Sequence, residues 1–192
     1  MISSPVIKKA TYIDLQNDLA LFEPAWNNKA RTIFTGDLLK LLSQLHQQFE
    51  PRRQELLLAR KHRQNAYDHG EVPDYLDQDS AAVTGDWKVA AIPLDLQKRR
   101  VEITGPIHSA RMVINMLNRN EQGFRADTAM LDFEDSMKPT WENVINGFAN
   151  LISAVSGTLT DHKKLPDGTE KIYQLNSNDM AIIMVRVRGL HL

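Results

Sequence analysis

Apolar residues recur at three- and four-residue steps after Asp37, at Leu38, Leu41, Leu42, Leu45 and Phe49. That spacing places side chains on one face of a helix. Pro51 predicts the start of a second helix, since proline is tolerated at a first helical position, and 55–66 has high helix propensity. Before this region, residues 1–34 show no sustained period and read as an arm, with Trp26, Ile33 and Phe34 as its docking side chains. After it, 70–85 is acidic and short of large apolar residues, which predicts a connecting loop, and 93–100 forms a polar bridge.

From Val101 short apolar runs alternate with amphipathic segments. Residues 101–103 predict a strand ended by a Gly105-Pro106 turn. Met112, Val113, Met116 and Leu117 mark a helix with its apolar side chains in the core, stopping at Asn118 or Asn120. A second strand is predicted over 128–134. A helix over Trp141–Val155 carries Val144, Ile145, Phe148, Leu151, Ile152 and Val155, and Gly157 ends it. Residues 159–175 predict a hairpin around Pro166-Asp167-Gly168, and 181–187 a third core strand. This order predicts a parallel α/β arrangement. With a boundary near 95–100, the expected parts are an arm (1–35), a helical domain (36–98) and an α/β part (99–192). A full (β/α)8 barrel takes about 250 residues. The last part therefore has room for three core strands, two helices and a hairpin, and its strand edges would need covering.

The 192-residue chain has 42% hydrophobic and 24% charged residues and a net charge of −1. It belongs to the ordinary globular class, with no electrostatic reason to expect nucleic acid or an anionic membrane as partner. The basic group Arg52, Arg53, Arg60, Lys61 and Arg63 reads as a solvated helix face. No apolar run is long enough to span a membrane, and the first ten residues lack a signal-peptide core. Without cysteine, disulfides and thiolate–zinc sites are excluded, compatible with the cytoplasm. A C-terminal peroxisomal address stays open.

The chemistry concentrates at two strand ends. In A-M-L-D-F-E-D (129–135) an apolar run delivers Asp132, Glu134 and Asp135, and A-I-I-M-V-R-V-R (181–188) ends in Arg186 and Arg188. Carboxyl ends of parallel strands are where α/β sheets place their sites. Asp132 and Glu134 share strand parity, as do Arg186 and Arg188; Asp135 alternates away unless the strand has ended. Acids facing guanidinium groups suggest a pocket for a metal-bound anion. The other arrangement open to these residues is a brace, with either arginine paired to Asp132 or Asp135. Asp135 or Ser136 is also the expected N-cap of the following helix. His46, His62, His69, His108, His162 and His191 show no close metal-ligand spacing.

Ordered strings carry a resemblance: D-W-K (86–88), R-R-V-E-I-T-G-P (99–106), M-V-I-N-M-L-N (112–118), D-F-E-D-S (132–136), P-T-W-E-N-V-I-N-G (139–147), K-I-Y-Q-L (171–175) and V-R-V-R-G-L-H-L (185–192). Together they resemble the A-type malate synthases over roughly 36–192. The resemblance implies a helical N-terminal domain followed by the first strands and helices of an incomplete (β/α)8 TIM barrel. It implies an acyltransferase of the glyoxylate cycle, joining acetyl-CoA to glyoxylate to give malate and CoA. Arg186 then takes the place of the catalytic arginine that stabilises the enolate. Asp132 and Glu134 match the carboxylates beside magnesium and its waters, with Asp135 and Arg188 next to them. The direct magnesium ligands and the catalytic aspartate are expected beyond Leu192, so the chain alone is expected to be inactive. A complementing segment, or self-association through strand edges, would cover the sheet. One departure is the link between Asn118 and Met130, longer than the family's. The alternatives are a non-catalytic binding protein retaining half a site, or a related magnesium-dependent acyl-CoA lyase.

Overall fold

Strands β3 (Glu102–Pro106), β4 (Thr128–Asp132) and β7 (Ile182–Arg186) lie side by side in a parallel sheet of order β3-β4-β7. The computed structural model describes residues 12–15 and 19–191; residues 1–11 and 16–18 of the predicted arm, and Leu192, lie outside the described residues. Two compact units divide the chain. One holds the described residues up to Gln44 with Lys98–Leu190, and the other holds Leu45–Gln97 with His191.

In the first unit, helix α4 (Ala110–Leu117) follows β3, and α5 (Trp141–Val155) follows β4. Ser109 caps α4 and Thr140 caps α5, each hydroxyl accepting a free amide of the first turn. Asp135 and Ser136, the expected caps of α5, lie upstream of it; Asp132 occupies the Ser136 amide instead. Gly157, at φ +70°, turns the chain out of α5 as anticipated.

Sheet register fixes two faces. Gly105, Leu131 and Val185 stand level on one, and Pro106, Asp132 and Arg186 on the other. The first face carries the core, where Leu131, Ala129 and Ile107 pack with Val113, Met116, Leu117 and Phe133. Met116 is in this core, whereas Met112, one turn earlier on α4, is 45% exposed, contrary to expectation. Gly105-Pro106 is the end of β3 rather than a turn after it. A Cβ on Gly105 would lie 2.5 Å from Met116 Sδ, so a larger residue here would make the flexible Met116 side chain shift. Pro106 is tolerated because β3 is an edge strand. On α5, a Cβ on Gly147 would meet the Phe133 ring at 2.6 Å and Ile107 Cγ2 at 2.8 Å. Both neighbours are buried, so Gly147→Ala is expected to destabilise by about 1–3 kcal/mol through overpacking, read as a lower midpoint in urea unfolding.

The hairpin β5 (Thr160–Lys164) and β6 (Glu170–Gln174) forms where predicted. Arg111 ties it to α4 through Asp161 at 2.9 Å, and Asn118 through the Gln174 carbonyl at 2.8 Å. The long link after Asn118 is held by ion pairs of Arg119 and Arg125 with Asp179. Asp127 accepts the amides of Arg100 and Val101.

The predicted arm contains an antiparallel pair, β1 (Tyr12–Leu15) and β2 (Leu19–Phe22), and helix α1 (Asn28–Ile33). It docks on α5. Trp141 Nε1 donates to the Ala25 carbonyl at 2.7 Å, Phe34 stacks on Trp141 at 5.5 Å, and Lys29 donates to Asn146.

Helix α2 (Gly36–Asp68) runs without a break through Pro51, so the expected second helix does not exist as a separate element. Glu50 beside the proline bonds Arg53 and Gln54 on the next turn. Leu41, Leu42, Leu45 and Phe49 of its apolar stripe are exposed. In the second unit a short helix α3 (Ala81–Thr84) interrupts the predicted loop.

Candidate functional site

Strand β4 stops at Asp132, two residues earlier than the apolar run predicts, because Asp132 turns the chain with its own side chain. Oδ1 accepts the Glu134 amide at 2.8 Å and Oδ2 the Ser136 amide at 3.1 Å, with the Asp135 amide shared at 3.3 Å. Short acidic side chains stabilise turns in this way. Burial pushes the Asp132 carboxyl up, but these amides and the Ser136 hydroxyl outweigh it and hold the group below the ordinary aspartate value.

Asp132 stands level with Arg186 on the neighbouring strand. Arg186 Nη1 lies 3.5 Å from Asp132 Oδ2 and 3.4 Å from Asp135 Oδ2, and Nη2 lies 3.4 Å from Glu134 Oε1. The turn brings Asp135 to the same side as Glu134, so strand parity no longer separates them. Burial works against the charged guanidinium, yet the fields of Asp132, Glu134 and Asp135 raise its affinity for the proton. The backbone joins the ends as well: the Phe133 amide donates to the Arg186 carbonyl at 3.0 Å.

The structure thus gathers Asp132, Glu134, Asp135 and Arg186 at the carboxyl end of the sheet. Arg188 is not with them. Strand β7 ends at Arg186, and Arg188 is exposed beyond it, outside these ion pairs. The Gly189 amide, which donates to Glu134 Oε2 at 2.9 Å, escaped sequence reasoning because a backbone contact leaves no side-chain signature.

Three carboxylates against one guanidinium leave two negative charges in surplus, a field that favours a nearby cation. Direct coordination is another matter. Both oxygens of Asp132 are engaged by amides and both of Glu134 by Arg186 and Gly189. Among the described residues no group of three or more histidine or carboxylate side chains is arranged to hold a metal ion. A groove of about 610 Å³ between α4 and β6, lined by Asn115, Asn118, Gln122, Lys171 and Tyr173, contains none of these acids.

Residues 20–80 match the family described as malate synthase, N-terminal domain. The chain is 42% identical over 176 residues to malate synthase A of Escherichia coli (strain K12), covering 92% of this chain and 31% of that protein. It is 41% identical over 167 residues to a malate synthase of Myxococcus xanthus (strain DK1622), covering 87% and 29%. It is 39% identical over 160 residues to the glyoxysomal malate synthase of Zea mays, covering 83% and 27%. The chain spans about three tenths of the length of these relatives. It is by sequence a member of the malate synthase family, corresponding to an N-terminal portion of those proteins.

Proposed function

We propose that this chain supplies the N-terminal portion of a malate synthase, the transferase that condenses acetyl-CoA with glyoxylate to give malate and CoA in the glyoxylate cycle. The observation that carries this is Arg186, held at the carboxyl end of parallel strands between Asp132, Glu134 and Asp135.

The condensation needs an enolate from the acetyl methyl group. Negative charge then develops on the thioester oxygen, and a fixed cation lowers that barrier. Arginine suits the task because it stays protonated and offers a rigid fork of donors. The contacts of Arg186 favour this over a brace. At 3.4–3.5 Å they are longer than the about 2.7–2.9 Å of a tight guanidinium–carboxylate pair. The side chain is also 38% exposed, so donor capacity remains for a ligand. Bound magnesium would polarise the glyoxylate carbonyl and neutralise its carboxylate. Asp132 and Glu134 would lie beside the ion's waters, the direct ligands and the general base coming from segments after residue 192. Asp132 shapes the turn, and Glu134 and Asp135 set the local field.

In this proposal β3, β4 and β7 are the opening strands of an incomplete (β/α)8 barrel over 99–192, preceded by a helical domain over 36–98 and an arm over 1–35. No helix among the described residues is long and apolar enough to cross a membrane, and the cytoplasm is the proposed location.

The test is reconstitution. The chain is mixed with the part of Escherichia coli malate synthase A that it does not match, in the presence of Mg²⁺. Thiol release from acetyl-CoA is expected only with both pieces and glyoxylate, and none from the chain alone. A folded complex without release contradicts the proposal. Release with other 2-oxo acids in place of glyoxylate points to a related acyl-CoA lyase.

A further inference from the structure

Glu134 does something its two acidic neighbours do not. Its Oε2 accepts the Gly189 amide at 2.9 Å, and its Oε1 faces Arg186 Nη2 at 3.4 Å. One carboxylate therefore joins the loop after β4 to two points, three residues apart, on the chain leaving β7. A free arginine side chain samples many rotamers, and holding it in one costs conformational entropy. A strap that holds the backbone just beyond the arginine at 2.9 Å and keeps a carboxylate 3.4 Å from the guanidinium narrows that range before a ligand arrives.

We propose that Glu134 is a positioning residue for Arg186, acting by strapping the segment after β7 to the loop after β4. Its consequence for turnover rests on the role proposed for Arg186; the strap itself does not. Asp135 is the matched control. It carries the same charge and lies at 3.4 Å from the same guanidinium. Its side chain is 79% exposed, and among the described residues its carboxylate touches Arg186 alone.

The experiment compares Glu134→Ala and Asp135→Ala in the ligand-free 192-residue chain by NMR. It reads hydrogen exchange at the Gly189 amide and the Arg186 Nε–H resonance. Glu134→Ala is expected to speed Gly189 exchange about tenfold, the loss of one charge-assisted hydrogen bond, and to move the Arg186 signal toward that of a free side chain. Asp135→Ala is expected to leave Gly189 exchange unchanged. Unaltered exchange in Glu134→Ala, or equal acceleration in both variants, overturns the proposal. Should Glu134→Ala not fold, Glu134→Gln serves. Its amide oxygen keeps the Gly189 bond while the charge facing Arg186 is lost, so the Arg186 signal must shift alone; an unmoved signal overturns the strap. No substrate enters either readout, so failure of the strap and failure of the enzymatic proposal are told apart.

Discussion

Arg186→Gln is expected to lower glyoxylate-dependent thiol release in the reconstituted enzyme by about 10²–10³-fold, the usual cost of removing one donor aimed at a developing oxyanion. Glutamine keeps a hydrogen-bond donor but no charge. The loss should fall on kcat more than on KM, since the charge on the thioester oxygen appears only as the enolate forms. Arg186→Lys restores the charge without the planar fork and should recover only part of the rate. Circular dichroism and the melting profile of the chain check that the sheet survives, because the guanidinium is partly exposed and its three ion pairs are long. A full rate in Arg186→Gln would reduce the arginine to a brace between strand ends.

Asp132→Ala is expected to cost about 3–4 kcal/mol of folding stability. The substitution takes the acceptor from three amides, of Glu134, Asp135 and Ser136, and the buried partner from Arg186. Unsatisfied buried groups cost about 1–3 kcal/mol each, and part of that is recovered when the loop opens to water. Asp132→Asn keeps an acceptor in place and should cost about half as much. Urea unfolding with an unchanged slope measures both. The same contacts fix the acid response. The folded-state affinity of Asp132 for protons is depressed, as are those of Asp127, held by the amides of Arg100 and Val101, and Asp179, held by Arg119 and Arg125. Stabilisation from a depressed carboxyl is complete above the unfolded-state value and disappears as pH falls through the folded-state one. Stability is therefore expected to drop below about pH 4, and to drop less in Asp132→Asn.

Much of the sheet and its helices was legible because local and tertiary signals agree there. The α5 boundaries coincide with the predicted helix because its apolar period and a positive-φ glycine mark them, although the cap is Thr140 and not the expected Asp135 or Ser136. The hairpin around Asp167-Gly168 has the same internal consistency, with Asp167 accepting the Thr169 amide and hydroxyl. The convergence of Asp132, Glu134 and Arg186 was readable from where apolar runs deliver charge. Failures came where a local rule met a stronger competitor. Pro51 loses one helical hydrogen bond, but dividing α2 there would expose several amides and carbonyls at two new ends. Gly105-Pro106 looks like a turn in isolation; in the fold the pair ends β3, with the Met116 side chain packed over the glycine. Asp135 faces Arg186 because Asp132 ends the strand with its own carboxylate, a side-chain event invisible to period-two parity. Arg188 fell outside the cluster for the matching reason, the end of β7 at Arg186.

The Asp132 carboxylate, trapped by amides, faces the Arg186 guanidinium at one rim of the sheet. Following the ¹³C resonance of the Asp132 carboxyl through an acid titration tests it most directly, in the native chain and in Arg186→Gln. The carboxyl is expected to titrate below the ordinary aspartate range, and its midpoint to rise when the guanidinium is removed. A carboxyl that titrates in the ordinary range and ignores the substitution would mean that the amides do not trap it and the guanidinium does not face it.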